Sequence, residues 1–321
     1  MSVKWLSAIK RIKDGISRVF IGNEPVIQTL LATLLSEGHA LLLGPIGSGK
    51  TTLAKALASI IGGTFKRVQM TNETLPSDIL GFMIYAPGME PRLVKGPIFA
   101  NVVLLDEINR APPRTLSALI EAMQEGQVTI DGTPLELPKP HIVLATMNIV
   151  EVELGYTQAL PMAILDRFMS SIYVNYVSDA EEAMIVKDID RIERELYTLS
   201  NTISLGEVVK LMDDVKGVYV DDSVLGYIMG LIKEIRSDPR VQVTLSTRAP
   251  ISLFKLSRAL AYLDGRDYVL PDDVKAAVYP ALMHRIILRP EYRGSVTPMD
   301  VINDALNKVP VPHYIQTPVK P

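Results

Sequence analysis

Apolar and polar positions in the first half of the chain alternate between two rhythms. Short apolar runs at 40–43, 67–70, 102–105, 142–145 and 172–175 predict strands. Their apolar residues are consecutive rather than alternating, as expected of strands covered on both faces. Between these runs, apolar residues return every three or four positions. Leu116, Leu119, Ile120 and Met123 predict a helix over 115–124, and Leu53, Leu57 and Ile61 predict another that starts at Lys50. Strand–helix alternation of this kind predicts an α/β layer sandwich with a mostly parallel sheet.

Two hairpins interrupt the alternation. One turns at Ile130-Asp131-Gly132-Thr133, where Asp-Gly sits between β-rich runs. The other lies within 84–99, punctuated by Pro87, Gly88 and Pro91. From about 178 the strand signal stops, and helical patterns cover 179–195, 204–216, 222–237, 248–264 and 271–285. The pattern divides the chain near 177, into an α/β domain over 1–177 and an all-α domain over 178–321. The second domain ends in VPVPHYIQTPVKP, a Pro-rich tail expected to be extended.

Composition narrows the function classes. The 321 residues are 48% apolar and 21% charged, which suits two domains with ordinary cores. A net charge of −3 and a pI near 5.9 give no reason to expect nucleic acid. The absence of cysteine excludes disulfides and thiolate metal sites and fits a reducing cytoplasm. The four histidines (39, 141, 284 and 313) are scattered, so no imidazole metal centre is expected. No apolar run reaches the roughly 20 residues needed to span a bilayer. The start, MSVKWLSAIKRIKDG, is amphipathic and broken by Lys and Asp, unlike a signal peptide. A cytoplasmic protein is expected.

Two motifs carry chemistry. Gly44-Pro45-Ile46-Gly47-Ser48-Gly49-Lys50-Thr51 fits G-x-x-x-x-G-K-[ST], follows the strand at 40–43 and opens a helix. Its glycines let backbone N–H groups turn inward around an anion, and the helix start adds partial positive charge. Lys50 is expected to reach the β- and γ-phosphates of a nucleotide, and the Thr51 hydroxyl to ligate Mg²⁺. The second motif ends a strand: Val102-Val103-Leu104-Leu105 runs into Asp106-Glu107. In an open parallel sheet the carboxyl ends of strands face the ligand crevice. Asp106 is therefore expected to hold the metal, and Glu107 to orient or deprotonate the attacking water. The strand at 142–145 likewise runs into Thr146 and Asn148, whose amide could serve the same water or phosphate. Asn at a strand end is also a common turn former.

These residues resemble the Walker A, Walker B and sensor 1 elements of AAA+ ATPases, and finer matches resemble the MoxR-type branch. Those matches are LPSDILG (75–81), GPIFANVVLLDEINRAPPRTLSALIEAMQEGQVTIDG (96–132), LDRF (165–168), STRAP (246–250) and LDGRDYVLPDDV (263–274). The resemblance implies a P-loop NTPase fold, with a parallel five-stranded sheet between helices and a small all-α lid. It implies ATP as substrate with Mg²⁺, contacts from the whole phosphate loop and Thr52, and adenine contacts from Phe20, Ile21 and Gly22. Asn148 matches sensor 1. Arg167 matches the arginine finger, which reaches an adjacent subunit's nucleotide, and Arg248 matches sensor 2, projecting from the lid onto the phosphates. A departure follows Asn148: the segment 149–164 is longer and less polar than in related sequences.

The resemblance further implies a homo-oligomeric ring, expected to be a hexamer. Such a ring remodels, matures or metal-loads client proteins, in some cases with a von Willebrand factor A domain partner. Hydrolysis is expected to move the lid against the α/β domain, with the hairpins meeting the client and Arg110 at a subunit interface. Two alternatives stay open: a nucleotide-regulated scaffold with little hydrolysis, and a DNA-linked motor. Chemistry alone does not separate ATP from GTP.

Overall fold

The computed structural model describes residues 3–148, 158–199 and 202–312. The expected loop over 149–164 and the Pro-rich tail lie partly outside these residues. Helices α1 (Val3–Val19) and α2 (Glu24–Leu35) lead into β1 (Ala40–Leu43), and α3 (Lys50–Ile60) returns the chain to β2 (Phe65–Gln69). A short α4 (Pro76–Leu80) precedes the hairpin of β3 (Gly81–Ile84) and β4 (Arg92–Lys95), then β5 (Val102–Asp106) and α5 (Pro113–Glu125). The second hairpin, β6 (Gln127–Ile130) with β7 (Thr133–Glu136), is followed by β8 (Ile142–Met147), α6 (Met162–Leu165) and β9 (Ser170–Tyr173). Beyond β9 the described α and β elements are all helices. They are α7 (Asp179–Lys187), α8 (Ile189–Thr198), α9 (Leu205–Lys216), α10 (Asp222–Ser237), α11 (Arg248–Leu263), α12 (Pro271–Leu282) and α13 (Pro298–Lys308).

The main sheet has five parallel strands in the order β2-β5-β8-β1-β9. Alternate residues of its central strands enter opposite cores. Leu42, Leu104 and Leu144 join α1, α2, α3 and the later helices on one face. Leu41, Leu43, Leu105 and Val143 join α5, Ile79, Ile98 and Phe168 on the other. All seven strand residues are buried, so truncating one of these leucines to Ala would cost about 2–5 kcal/mol. Both hairpins form where the turn residues place them. Asp131 and Gly132 have φ of 48° and 78°, the left-handed pair that a two-residue hairpin turn requires.

Four expectations change. β2 is an edge strand with Lys66, Arg67 and Gln69 exposed, not a strand covered on both faces. β9 begins two residues earlier than its apolar run. Ser170 and Ser171 are buried, and the Ser170 hydroxyl is 2.7 Å from that of Thr33, so a satisfied polar pair stands where the pattern looked for hydrocarbon. The helix expected over 179–195 is two helices that meet at Asp188, whose carboxylate accepts from Arg191 at 2.8 Å. The last helical run, 271–285, ends as α-helix at Leu282 and closes with a 3₁₀ turn over Met283–Arg285.

His39 lies at the foot of β1, fully enclosed. Its Nδ1 accepts from the Val143 amide and its Nε2 donates to Met123 O, both at 3.0 Å, which joins β1, β8 and α5. Burial, with the nearby His141, lowers its pKa to about 3. Burial also lowers His141 and His284. In the unfolded chain these imidazoles titrate near 6.5. Below that pH the unfolded chain binds protons that the folded chain refuses, so stability should fall progressively as pH drops from 6.5 towards 3. Urea unfolding midpoints across this range measure the slope. His39→Gln keeps a donor and an acceptor without the titration, and should make the slope shallower.

Candidate nucleotide site

The loop after β1 can form only with glycine at its turning points. Gly44 has φ of +147°, and a Cβ there would lie 2.2 Å from the Val174 carbonyl oxygen. Gly47 and Gly49 have φ of +81° and +86°, and a Cβ on Gly49 would come within 3.1 Å of the Phe20 ring. Lys50 opens α3 and folds back across the loop. Its Nζ donates to Gly44 O at 3.0 Å, Pro45 O at 2.6 Å and Ser48 Oγ at 3.2 Å. Burial lowers the Lys50 pKa, and the charge of Asp106 opposes that shift. The first turn of α3 carries no acid and no side-chain cap, so its positive end is not neutralised from within.

Phe20, Ile21 and Gly22 follow α1 and border this loop. Phe20 is buried, its ring against Gly49, while Gly22 has φ of +73° and sits beside the Glu181 carboxylate. The Tyr176 hydroxyl donates to Ile46 O at 3.0 Å and closes the same side.

Asp106 and Glu107 stand at the carboxyl end of β5. Thr146 holds both. Its hydroxyl accepts from the Glu107 amide at 2.9 Å and donates to Asp106 Oδ1. Arg67 of β2 donates from Nε to Asp106 Oδ2 at 3.0 Å. Glu107 takes a left-handed conformation, φ 56° and ψ 50°, costing about 1–2 kcal/mol, and this turns its side chain off the strand direction. Its carboxylate pairs with Arg110 Nε at 2.7 Å. Met147 is paired with Leu43, so Asn148 comes next to the start of the phosphate loop.

Arg167 and Arg248 are together, at the opposite end of the strands. Met169 N donates to His39 O at 2.8 Å, which places the segment before β9 at the foot of β1. The phosphate loop is at the head of that strand, four residues or roughly 13 Å away. Gln124 Oε1 accepts from Arg167 Nη2 at 3.4 Å and from Arg248 Nη2 at 3.1 Å. Arg167 also donates to Ala163 O. Burial and the neighbouring Arg248 lower the Arg167 pKa, against the attraction of Asp166.

Comparison with known proteins agrees with this geometry. Residues 39–170 match the ATPase family associated with various cellular activities (AAA), and residues 233–305 match the AAA lid domain. The chain is 41% identical to the uncharacterised protein YeaC of Bacillus subtilis over 93% of each chain. It is 34% identical to Chaperone MoxR1 of Mycobacterium tuberculosis over 97% of this chain and 84% of that one. A crystal structure from Cytophaga hutchinsonii, provisionally described as an ATPase, superposes with a TM-score of 0.88 at 34% identity over 97% of both chains. The chain belongs to the MoxR-type AAA+ ATPases. It hydrolyses ATP.

The first site suits the polyphosphate that a MoxR-type ATPase binds. Its glycines take backbone angles, and at Gly44 and Gly49 close approaches, that a Cβ would not allow. Lys50 lies across the loop, and the start of α3 is uncapped. Among the described residues no group of three or more His, Asp or Glu side chains forms a metal cage. Thr51 and Asp106 suit Mg²⁺, which keeps waters and substrate phosphates as most of its ligands. No described helix is long and apolar enough to cross a membrane.

The phosphate loop, Asp106, Glu107, Asn148 and the 20–22 segment are brought together. Arg167 and Arg248 are brought together elsewhere. Sequence reading missed Arg67, Gln124, Asp166 and Tyr176, and noted Thr146 only as a polar strand end. Thr146 had a signal, a threonine ending an otherwise apolar buried strand. The others carry no local signal, because their partners are distant in sequence.

Thr146→Val should remove the bridge between the two acids without changing volume. It leaves the Glu107 N–H unpaired, and should cost about 1–3 kcal/mol in urea unfolding. Thr146→Ser, which keeps the hydroxyl, should recover most of the loss.

Proposed function

We propose that this MoxR-type ATPase is a Mg²⁺-dependent ring machine, a hexamer, in which Arg167 and Arg248 of one copy complete the nucleotide site of the next. One observation carries the reading: the two arginines and the phosphate loop of a chain stand at opposite ends of its strands, foot and head. A chain cannot bring its own guanidiniums to its own phosphates across that distance. Head-to-tail association joins the two ends and, repeated, closes a ring.

Within the joined site, Lys50 and the loop amides hold the β- and γ-phosphates, and Phe20, Ile21 and Gly22 border the base. Bound Mg²⁺ supplies positive charge to the phosphates, with Thr51 and Asp106 as its protein ligands. Glu107 leaves Arg110 to orient the attacking water and take its proton, and Asn148 holds that water or the γ-phosphate. The two arginines of the neighbour stabilise charge on the transferring group.

The chain divides near 177 into the nucleotide-binding domain and a helical lid. The work is chaperone-like: the ring remodels, matures or metal-loads a client protein in the cytoplasm, in the manner suggested by the name of the M. tuberculosis relative. The β3–β4 hairpin suits contact with a client, because Phe82, Ile84, Tyr85 and Met89 are exposed on it. The Tyr85 hydroxyl, donating to Asp131 at 3.0 Å, links it to the β6–β7 hairpin. A von Willebrand factor A domain partner is part of the same proposal.

Phosphate release at saturating ATP should rise with protein concentration faster than in proportion. Glu107→Gln should lower turnover by about 10²–10⁴-fold while ATP still binds. Arg167→Ala should lower it by about 10³–10⁵-fold and abolish the concentration dependence, with ATP binding kept. Specific activity independent of concentration, with Arg167→Ala fully active, would sink the ring reading.

A further inference from the structure

Asp166 precedes Arg167 in the chain and faces the lid. Its side chain is largely buried, and each carboxylate oxygen is engaged by a different part of that lid. Oδ1 accepts from Arg285 Nε at 3.0 Å. Oδ2 accepts from the Ser246 hydroxyl at 2.7 Å and, more weakly, from Arg248 Nη1 at 3.5 Å. The Ser246 hydroxyl in turn accepts from the Arg248 amide at 3.0 Å, at the start of α11. One carboxylate therefore touches the helix end that carries the second arginine.

Arg285 extends the connection. It is 2% exposed, in the 3₁₀ turn after α12. Its Nη2 donates to Asp166 O at 3.0 Å, Phe168 O at 2.8 Å and Ser252 Oγ of α11 at 3.1 Å. His284 Nε2 donates to the same Phe168 carbonyl at 2.9 Å. The carbonyls of Asp166 and Phe168 thus meet lid donors. Apolar helix faces can slide over one another, but a buried guanidinium with its acceptors set in a fork cannot. Burial by itself would raise the Asp166 pKa. The Ser246 hydrogen bond and the hydrogen bond and charge of Arg285 outweigh it, so the carboxyl is held below its ordinary value as an anion. That anion lies against two guanidiniums that repel each other across Gln124.

We propose that Asp166 is a positioning residue that, with Arg285, locks the lid to the arginine segment, so that Arg167 and Arg248 reach the neighbouring copy's phosphates as one unit. The inference rests on the reading that these arginines act between copies. It also changes the expected motion: the lid carries the 166–169 segment with it instead of moving alone against the α/β domain.

Mixed assemblies of full-length chains test this. Asp166→Asn alone should lose about 10²-fold in turnover, the effect of misplacing a reacting group by about 1 Å, with nucleotide affinity at its own phosphate loop unchanged. Glu107→Gln chains have intact arginines but cannot hydrolyse at their own site. Mixed with them, Asp166→Asn should regain turnover, as Arg167→Ala should in the same mixture. Ser246→Ala removes the hydroxyl's two hydrogen bonds, to Asp166 and from the Arg248 amide, and spares the buried ion pair. It should show a smaller loss with the same recovery, and it decides the matter if Asp166→Asn does not fold. Full turnover by the variants alone overturns the proposal, as does a loss that mixing fails to restore while Arg167→Ala is restored. If Arg167→Ala itself is not restored, the reading of arginines acting between copies fails, and this inference with it.

Discussion

A parallel sheet covered on both faces has room for charge only at the ends of its strands, and the arrangement of this ATPase follows from that constraint. Leu41 and Leu43 enter one core and Leu42 the other, so β1 offers no lateral position for a polar group. The lysine and acids gather at the head of the central strands and the arginines at the foot. The length of β1 sets the distance between them. Short as it is, it keeps opposite charges from collapsing onto each other within one chain.

The two ends are held by different means. At the head, the Thr146 hydroxyl takes the Glu107 amide and gives its proton to Asp106, so neighbouring strands share one fixed polar contact. Arg67 and Lys50 lie near Asp106 as cations, and Arg110 occupies Glu107. At the foot, Asp166 and Arg285 form a buried pair whose remaining donors meet backbone carbonyls. Unpaired, either ion would bear a heavy desolvation penalty, so the pair persists only as a unit. The head is an acidic rim beside a cationic loop, and the foot is a cationic tip bonded through Asp166 to Ser246 and Arg285.

Much of this was legible in the chain. The phosphate loop is a contiguous motif whose glycines are demanded by local backbone geometry, and Gly44 meets Val174 as that motif requires. The central strands were visible because apolar residues on consecutive positions have no other use in a layer sandwich. Asp-Gly at 131–132 announced its hairpin through φ alone. Reading failed where polar residues interrupted a strand, whether satisfied inside the protein or exposed at its edge. Ser170 and Ser171 hid the start of β9, and the exposed side chains of β2 hid its place at the sheet edge.

The sequence by itself determined the local motifs: a glycine loop suited to polyphosphate, two acids at a strand end, and arginines in LDRF and STRAP. These are decided by residue type and short spacing, where backbone conformation and side-chain pattern act locally. The tertiary structure alone decided which of those groups share a site. Asp166 and Arg285 are 119 residues apart and Gln124 and Arg248 are 124 apart. Contacts of that separation depend on how whole helices pack against the sheet, which no local pattern encodes.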